Sequence, residues 1–377
     1  MHRGSFRSAL ALAAAAALSV GGLAACGGGD DDNGSTSATG GSSGGSASGT
    51  VALLLPENKT ARYEAQDRPL FTRALRRYCP NCELIYSNAE QDAAKQQSQA
   101  EAAITNGARV LVLDPVDAKA AASIVTRAKQ SDIGVVSYDR LIENADVDYY
   151  ISFDNRQVGE LQATSLVDKL RSDGARGSVV MINGAPTDSN AAQFKAGAHS
   201  VLDDSDYRIA KEYDTPDWSP DRAQTEMDQA TSALGRDGFV GVYAANDGTA
   251  GGAIASMRSN GIDPPTRPTT GQDAELAGIQ RIVVGDQYMT VFKAYTPEAT
   301  QAAQLAVAVL RGDTSSDLVN RQIDNGMKDV PSVILTPVAV RQDNIRDTVV
   351  RDGLYTIPQI CTSAYASACR RIGLTEG

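Results

Sequence analysis

Four apolar runs of this chain end abruptly in polar residues, and this repetition constrains the fold more than any other feature. The first three runs are rich in Val, Ile and Tyr, which is typical of short strands buried on both faces. Such strands form parallel sheets, and ligands of open α/β sheets bind beyond the carboxyl ends of the strands. The residues that end the four runs are Asp139-Arg140, Asp154-Asn155, Asn246-Asp247 and Asp273.

Two interpretations of these polar residues compete. Asp and Asn are favoured as helix N-caps and turn residues whatever a protein does. Carboxylate, amide and guanidinium groups at neighbouring strand ends also suit a small ligand covered in hydroxyls, because they accept and donate hydrogen bonds in fixed directions. One such pair alone would favour the cap, whereas four together favour a binding site.

The charge balance argues against nucleic acid as a partner. The chain has 377 residues with 35 basic and 46 acidic side chains, which gives a formal charge of -11. A chain with this balance is repelled by phosphate backbones and by anionic membrane surfaces. The length permits two domains, and a hydrophobic fraction of 42% is sufficient for a sizeable core.

The N-terminus is predicted to be a leader rather than part of the fold. Arg3 and Arg7 form a basic region before an apolar stretch at residues 9–20. Leu23-Ala24-Ala25-Cys26 then resembles the lipobox of bacterial lipoproteins, although an ordinary signal peptide remains the alternative. We expect a signal peptide over residues 1–25 and a lipid on Cys26, which would be the only contact with the membrane. Residues 26–49 are small or polar and would be a flexible tether.

The remaining four cysteines lie in a chain that is predicted to be exported. Their proximity suggests the disulfides Cys79–Cys82 and Cys361–Cys369, while other pairings stay open. The C-x-x-C motif could also be a redox centre or half of a zinc site. No second C-x-x-C exists, and His199 is the only histidine after the leader. We therefore expect structural disulfides, no metal site and, without a P-loop lysine or a G-x-G-x-x-G motif, no cofactor.

From residue 51 onward, strand and helix patterns alternate, which predicts parallel βαβ units with right-handed crossovers. A first series of strands is predicted at residues 51–55, 84–86, 110–113 and 133–138. A second series is predicted at 149–153, 178–182, 208–212, 239–244 and 269–271, followed by strands at 288–292 and 333–340. The restart of the pattern suggests an α/β fold of two similar lobes.

Five longer motifs are informative together. They are Tyr138-Asp139-Arg140, Tyr150-Ile151-Ser152-Phe153-Asp154-Asn155, Asn246-Asp247-Gly248-Thr249-Ala250-Gly251-Gly252, Gly271-Gln272-Asp273-Ala274-Glu275 and Met289-Thr290-Val291-Phe292-Lys293. In this order and spacing they closely resemble the periplasmic D-xylose-binding proteins of ATP-binding-cassette (ABC) importers, and the resemblance extends from residue 51 to about residue 352.

The resemblance implies a type I periplasmic-binding-protein fold. In that fold, two Rossmann-like lobes with parallel sheets are joined by a three-strand hinge, and sugar binds in the cleft between them. On this chain, the first lobe would comprise residues 50–138 and 293–332, and the second lobe residues 139–292 and 333–377. The three crossings would fall near residues 138–140, 292–293 and 333–335, and the helix after Lys293 would return to the first lobe.

The resemblance also implies which residues contact sugar. Asp139 and Arg140 at the first crossing, Asn246 and Asp273 in the second lobe, and Lys293 at the second crossing correspond to binding positions of the family. An interlobe salt bridge is the alternative role for Asp139 and Arg140, and a solvated side chain is the alternative for Lys293.

Three further regions match the family less closely. The loop after the first strand contributes Lys59, Arg62 and Tyr63, and Tyr63 replaces a Trp of the family. Asn190 is a candidate contact in a segment that follows a strand. Trp218, the only tryptophan, lies in a loop like that of the family's cleft-facing Trp, although a lone Trp is more often part of a core.

By resemblance, this chain would be the sugar-binding subunit of an ABC importer and not an enzyme, with the expected lipid on Cys26 as its anchor. It would bind a monosaccharide, with D-xylose the expected sugar, and deliver it as a monomer to a membrane permease. One alternative is a sensor that presents bound sugar to a signalling receptor. Another is a carbohydrate-active hydrolase, which would need a paired acid and nucleophile at a fixed separation.

Overall fold

Twelve strands and eleven α-helices alternate in the computed structural model, which describes residues 47–313 and 315–376. The strands are β1 (Ser48–Leu55), β2 (Asn81–Asn88), β3 (Ala108–Leu113), β4 (Gly134–Tyr138), β5 (Tyr149–Phe153), β6 (Ser178–Asn183), β7 (Arg208–Asp214), β8 (Gly241–Ala244), β9 (Thr290–Phe292), β10 (Arg321–Asp324), β11 (Asp329–Leu335) and β12 (Val338–Val340). The predicted signal peptide and Cys26 lie outside the described residues.

The helices follow the strands in the order that parallel βαβ units require. They are α1 (Arg68–Tyr78), α2 (Ala93–Thr105), α3 (Ala122–Lys129), α4 (Asn155–Ser172), α5 (Ser189–Leu202), α6 (Pro220–Leu234), α7 (Asp247–Ser259), α8 (Leu276–Val284), α9 (Tyr295–Arg311), α10 (Ile357–Ile360) and α11 (Ala366–Arg371). Within the described part of the chain, no helix has the length and apolar character needed to cross a membrane.

Seven strands form the sheet of the first lobe, in the order β10-β11-β5-β4-β3-β1-β2. All neighbours are parallel except β10, which pairs antiparallel with β11. β1 begins inside the predicted tether of residues 26–49, because Ser48 and Gly49 pair with Asn81 and Cys82. Leu53, Leu55, Val110 and Val112 are fully buried in this sheet.

The second lobe is built around the parallel strands β7-β6-β8 and the antiparallel pair β12-β9. The predicted strand at residues 269–271 is an extended segment that lies between these two groups. It forms a bridge from Thr269 to Val242, and the Tyr288 N–H donates to its Thr269 carbonyl. This segment is extended but lacks the regular ladder of hydrogen bonds that defines a strand.

The predicted position of the first crossing, at residues 138–140, is wrong. β5 pairs in parallel with β4, so the chain remains in the first sheet until Phe153. It then enters α4, whose Val158 and Leu166 pack against Met181 of the second lobe. The apolar pattern of β5 shows that the strand is buried, but it does not identify the neighbouring strand.

The other two crossings lie close to their predicted positions. α9 follows Lys293 and packs its Ala302 and Leu305 against Phe71 of the first lobe. The predicted strand at residues 333–340 is two strands in different lobes, β11 and β12, separated at Thr336 and Pro337. Proline lacks the N–H that a continuous strand would donate, which explains the break.

Both expected cysteine pairs meet in the structure. The sulfurs of Cys79 and Cys82 are 1.96 Å apart, and those of Cys361 and Cys369 are 2.03 Å apart. Cys369 belongs to a cluster in which the C-terminal segment covers Ile279 of α8. Among the described residues, no group of three His, Cys, Asp or Glu side chains could hold a metal ion.

Candidate functional site

A small cavity lies where strand ends of both lobes meet. Its volume is about 20 Å³, roughly the space that one water molecule needs. Eight of the ten residues predicted to contact sugar line it. They are Tyr63, Asp139, Arg140, Asn190, Trp218, Asn246, Asp273 and Lys293. Each of these eight is at most 5% exposed, so the cavity is closed to solvent.

Asp139 is the carboxylate that the first lobe contributes. It follows β4 with a φ of 54°, and its carboxylate oxygens accept hydrogen bonds from Arg62 and Tyr63, both at 3.1 Å. Burial would raise the pKa of Asp139, but Arg62 and Lys293 outweigh burial and lower that pKa to about 2. Asp139 is therefore an anionic acceptor at any ordinary pH.

Asp273 is the corresponding carboxylate of the second lobe. It too has a positive φ, 87°, and its N–H donates to the Val291 carbonyl, as that of Asp139 does to Ile151. Its Oδ1 lies 3.1 Å from Lys293 Nζ without hydrogen-bonding geometry, and within the described part of the chain this oxygen has no hydrogen-bond partner.

Lys293 connects the two carboxylates. Its Nζ lies 3.8 Å from Asp139 Oδ1 as well as close to Asp273. Burial opposes a charged amine, but the two carboxylates outweigh it and raise the pKa of Lys293. The alternative of a solvated lysine is wrong, since its side chain is 3% exposed.

Arg140 forms the interlobe salt bridge that the sequence left open. Its Nε lies 2.9 Å from Asp188 Oδ2 in the second lobe and 3.5 Å from Asp114 in the first. One of its Nη atoms donates to the Tyr63 hydroxyl at 3.2 Å. Arg140 also lines the cavity, so the two proposed roles of this residue are compatible.

Trp218 and Phe194 form an aromatic wall. Their rings are 6.3 Å apart and meet edge to face, and the indole N–H donates to Asp188 Oδ2 at 3.0 Å. Gly184 lies close against the indole, since an added Cβ there would be 2.0 Å from the ring. Trp218 therefore belongs both to the core of the second lobe and to the cavity.

Two predicted contacts do not line the cavity. Lys59 is exposed, because the Glu57 carboxylate accepts hydrogen bonds from the N–H groups of Lys59 and Thr60 and folds the loop into a tight turn. The turn directs Thr60, not Lys59, to the cavity. Arg62 is buried behind the cavity, where it bonds Asp139 and also pairs with Asp67 and Glu298.

Four lining residues were not among the predicted contacts: Thr60, Asp188, Phe194 and Gln272. Asp188 caps α5 by accepting from the Asn190 N–H and also lines the cavity. Gln272 precedes Asp273, and its Oε1 is buried with no hydrogen-bond partner in the described ranges. Adjacency to Asp273 was the one sequence signal that could have identified Gln272.

The cap interpretation is sufficient for Asp154 only. Its side chain accepts from the Gln157 N–H at the start of α4, and it pairs with Arg321 at 3.0 Å. Asn246 forms a capping box with Thr249 at the start of α7 and also lines the cavity. Strand-end residues thus cap helices and form the site at the same time.

The cavity suits a small, neutral, hydroxyl-rich molecule. Its polar groups include carboxylates and amides that accept hydroxyl protons, and Arg140 and Lys293, which donate. Both cations are already paired with carboxylates, so neither is free to neutralise an anionic ligand. An enclosed polar cavity with an aromatic wall, between two α/β lobes, defines a small-molecule binding protein.

Comparison with known proteins gives the family. Residues 51–314 match the model described as a periplasmic binding protein domain. The D-xylose-binding periplasmic protein of Escherichia coli is 37% identical over 309 residues, which cover 81% of this chain and 90% of that protein. The multiple sugar-binding periplasmic receptor ChvE of Rhizobium radiobacter is 34% identical, covering 83% and 92%.

Solved structures of sugar-binding proteins are similar to this chain as well. A carbohydrate transporter solute binding protein from Chloroflexus aurantiacus, in complex with D-glucose, matches with a TM-score of 0.75 and 30% identity. The match covers 83% of this chain and 98% of that chain. This chain belongs to the periplasmic binding protein family.

Proposed function

We propose that this protein captures one neutral monosaccharide, D-xylose, outside the membrane and delivers it to the permease of an ABC importer. The observation that carries the proposal is the enclosed cavity. In it, Gln272 Oε1 and Asp273 Oδ1 accept no hydrogen bond from any described residue. Sugar hydroxyls are such donors, and the Trp218 face suits the C–H surface of a pyranose ring. Two relatives at 35–37% identity are named D-xylose-binding.

Sugar hydrolysis is not supported by the same groups. A glycosidase needs a protonated carboxylic acid and a second carboxylate, which are about 5–5.5 Å or 6.5–9.5 Å apart. The pKa of Asp139, about 2, leaves this group without a proton to donate at neutral pH. Lys293 holds Asp273 in an ion pair at 3.1 Å. We therefore propose a binding protein that releases its sugar unchanged.

A ligand screen tests the proposal. Thermal unfolding of the mature protein would be followed with D-xylose, L-arabinose, D-ribose, D-glucose and D-galactose, and calorimetry would then give the affinities. A ligand at 100 times its Kd stabilises the native state by about 2.7 kcal/mol, so D-xylose should raise Tm clearly. D-Xylonate is the matched control and should not bind, because Arg140 and Lys293 are already paired. Failure of every neutral sugar to raise Tm would refute the proposal.

A second candidate is sugar sensing. One observation favours it, namely the 34% identity to a relative named as a receptor. Both candidates share the binding step, so partner capture must separate them. Cross-linking of the sugar-loaded protein in native membranes should recover a permease if the protein serves import, and a signalling receptor without a permease if it serves sensing.

We also propose that Cys26 carries a lipid that holds the protein at the membrane. The support is the sequence Leu23-Ala24-Ala25-Cys26 and the small, polar residues that follow it. The Cys26→Ser variant should appear in the soluble fraction or retain its leader, which fractionation and mass spectrometry would reveal. A correctly processed Cys26→Ser protein that stays with the membrane would contradict the anchor.

A further inference from the structure

Asp247 is a buried carboxylate that does not line the cavity. It directly follows the lining residue Asn246 and is 0% exposed. Its N–H donates to the Gln272 carbonyl at 2.9 Å, and its Oδ2 accepts from the Glu275 N–H at 2.8 Å. One residue therefore fixes the main chain on both sides of Asp273.

Further contacts fix the residue between them. Thr290 Oγ1 donates to Asp247 Oδ2 at 3.1 Å and accepts from the Ala274 N–H at 3.2 Å. The other carboxylate oxygen, Oδ1, accepts from Gln287 Nε2 at 2.6 Å. Both oxygens are thus satisfied. Two of the Asp247 bonds lead directly to the segment from Gln272 to Glu275, and the bond through Thr290 reaches Ala274 within it.

This segment needs such restraint because its backbone is strained. Asp273 and Ala274 have φ values of 87° and 48°, which residues other than glycine rarely adopt. Strained residues at binding sites persist only where their surroundings determine them. The hydrogen bonds from Asp247 and Thr290 hold the strained backbone of Asp273 and Ala274 in place.

Two glycines show how closely the chain packs around the Asp247 carboxylate. A Cβ at Gly271 would lie 2.1 Å from Oδ1, and a Cβ at Gly278 would lie 2.2 Å from Oδ2. The carboxylate thus occupies a gap that only side-chain-free residues leave open. Burial raises the pKa of Asp247 to about 7 against the opposing effect of Arg281, so keeping a carboxylate here has a cost.

We propose that Asp247 is a positioning residue, which sets sugar affinity by holding the Asp273 carboxylate in its binding orientation. The inference rests on the proposed function of the cavity. The same segment also reaches the first lobe, since Glu275 Oε1 accepts from the Ala61 N–H at 3.1 Å, next to the lining residue Thr60. Asp247 therefore supports both the ligand contact and a contact between the lobes.

The first test needs no ligand. Amide hydrogen exchange of the sugar-free protein would be compared between the parent chain and Asp247→Asn, which keeps the shape but replaces one acceptor by a donor. Exchange across residues 272–275 should accelerate about tenfold or more, because local opening becomes easier. Asp228→Asn is the matched control: this second-lobe carboxylate accepts from Ser256 and Asn260 and should leave that segment unchanged. Unchanged exchange in Asp247→Asn would overturn the proposal.

The second test asks whether Asp247 acts through Asp273. Calorimetry with D-xylose should show about tenfold weaker binding for Asp247→Asn alone, and little further loss when it is added to Asp273→Asn, because residues that act as a unit are not additive. Equal losses in both backgrounds would mean a general structural role and would overturn the proposal. Asp228→Asn should bind like the parent.

Two further outcomes are decisive. If the parent chain binds no sugar, the proposed function fails, while the exchange experiment still decides whether Asp247 holds the segment. If Asp247→Asn does not fold, Thr290→Val removes the bond to the Ala274 N–H with a similar volume. It should then change exchange and affinity in the same directions by smaller factors, and its failure to do so would contradict the proposal.

Discussion

At the scale of single residues, the site is a balance of buried charges. Lys293 lies between Asp139 and Asp273, while Arg140 neutralises Asp188 across the lobes. Removing one member of a buried pair leaves its partner uncompensated, which costs more than the pair contributes. Substitutions here therefore affect stability as well as binding, and both must be measured.

Asp273→Ala should weaken binding of the sugar strongly. A hydrogen bond to a charged group contributes about 1.5–3 kcal/mol, so affinity should fall roughly 10- to 150-fold. Tm should fall modestly, because Lys293 keeps Asp139 at 3.8 Å. Calorimetry on the folded variant measures the loss, and Asp237→Ala, at a fully exposed carboxylate of the same lobe, is the control. Parent-like affinity of Asp273→Ala would remove Asp273 from the site.

Strand-end chemistry and family motifs predicted eight lining residues from sequence alone. Lys59 and Arg62 were also predicted as contacts, and a common cause explains why they do not line the cavity. Their loop is shaped by Glu57, Asp67 and Glu298, and which side chain of a turn faces a cavity depends on such partners. Long-range partners of this kind leave no periodic signal in the sequence.

At the scale of elements, the segment Gln272–Glu275 and the start of α7 should make stability depend on pH. Burial raises the pKa of Asp247 to about 7 and that of Glu275 to about 8, above the ordinary values of 3.8 and 4.5. The folded state therefore binds these protons more tightly than the unfolded state, and stability falls as pH rises from about 5 to 8. The lowered pKa of Asp139 affects stability only below about pH 4, where stability falls as the pH falls.

We expect Tm of the sugar-free protein to be higher at pH 5.5 than at pH 8.5, and the difference to be smaller in Asp247→Asn. His199, whose pKa is raised despite partial burial, by Glu212 and Asp203, contributes in the same direction, so the comparison of the two proteins isolates Asp247. Calorimetric scans in buffers of equal ionic strength measure the difference. An identical pH profile in both proteins would show that Asp247 does not titrate in this range.

The second cysteine pair fastens a C-terminal element. Mass mapping of unreduced peptides should show Cys79 joined to Cys82 and Cys361 joined to Cys369. Replacing Cys361 and Cys369 together by Ser should lower Tm, because the segment that covers Ile279 loses its cross-link. Free thiols at these positions in the exported protein would contradict the assignment.

The alternation of strands and helices was predictable because parallel strands and amphipathic helices have different periods. Strand partners were not predictable in the same way. The sequence of β5 fits either lobe, and only pairing with β4 and β11 assigns it to the first. The division of residues 333–340 into two strands had a local signal in Pro337, which the prediction of one continuous strand neglected.

At the scale of the whole molecule, two lobes joined by three connections permit hinge motion, and a ligand that touches both lobes stabilises the closed arrangement. Small-angle scattering should therefore show a smaller radius of gyration when D-xylose is added. The fluorescence of Trp218, the only tryptophan, should change with the same midpoint. A scattering curve that saturating sugar leaves unchanged would argue against delivery by lobe closure.

Gly184 gives the whole arrangement one further property. The indole of Trp218 rests against this residue, where even a methyl group would lie 2.0 Å from the ring. A larger residue at position 184 cannot be accommodated unless the indole moves, because an added Cβ already lies far inside its contact distance. The absence of a side chain at position 184 therefore fixes where the Trp218 indole lies, and with it one wall of the cavity.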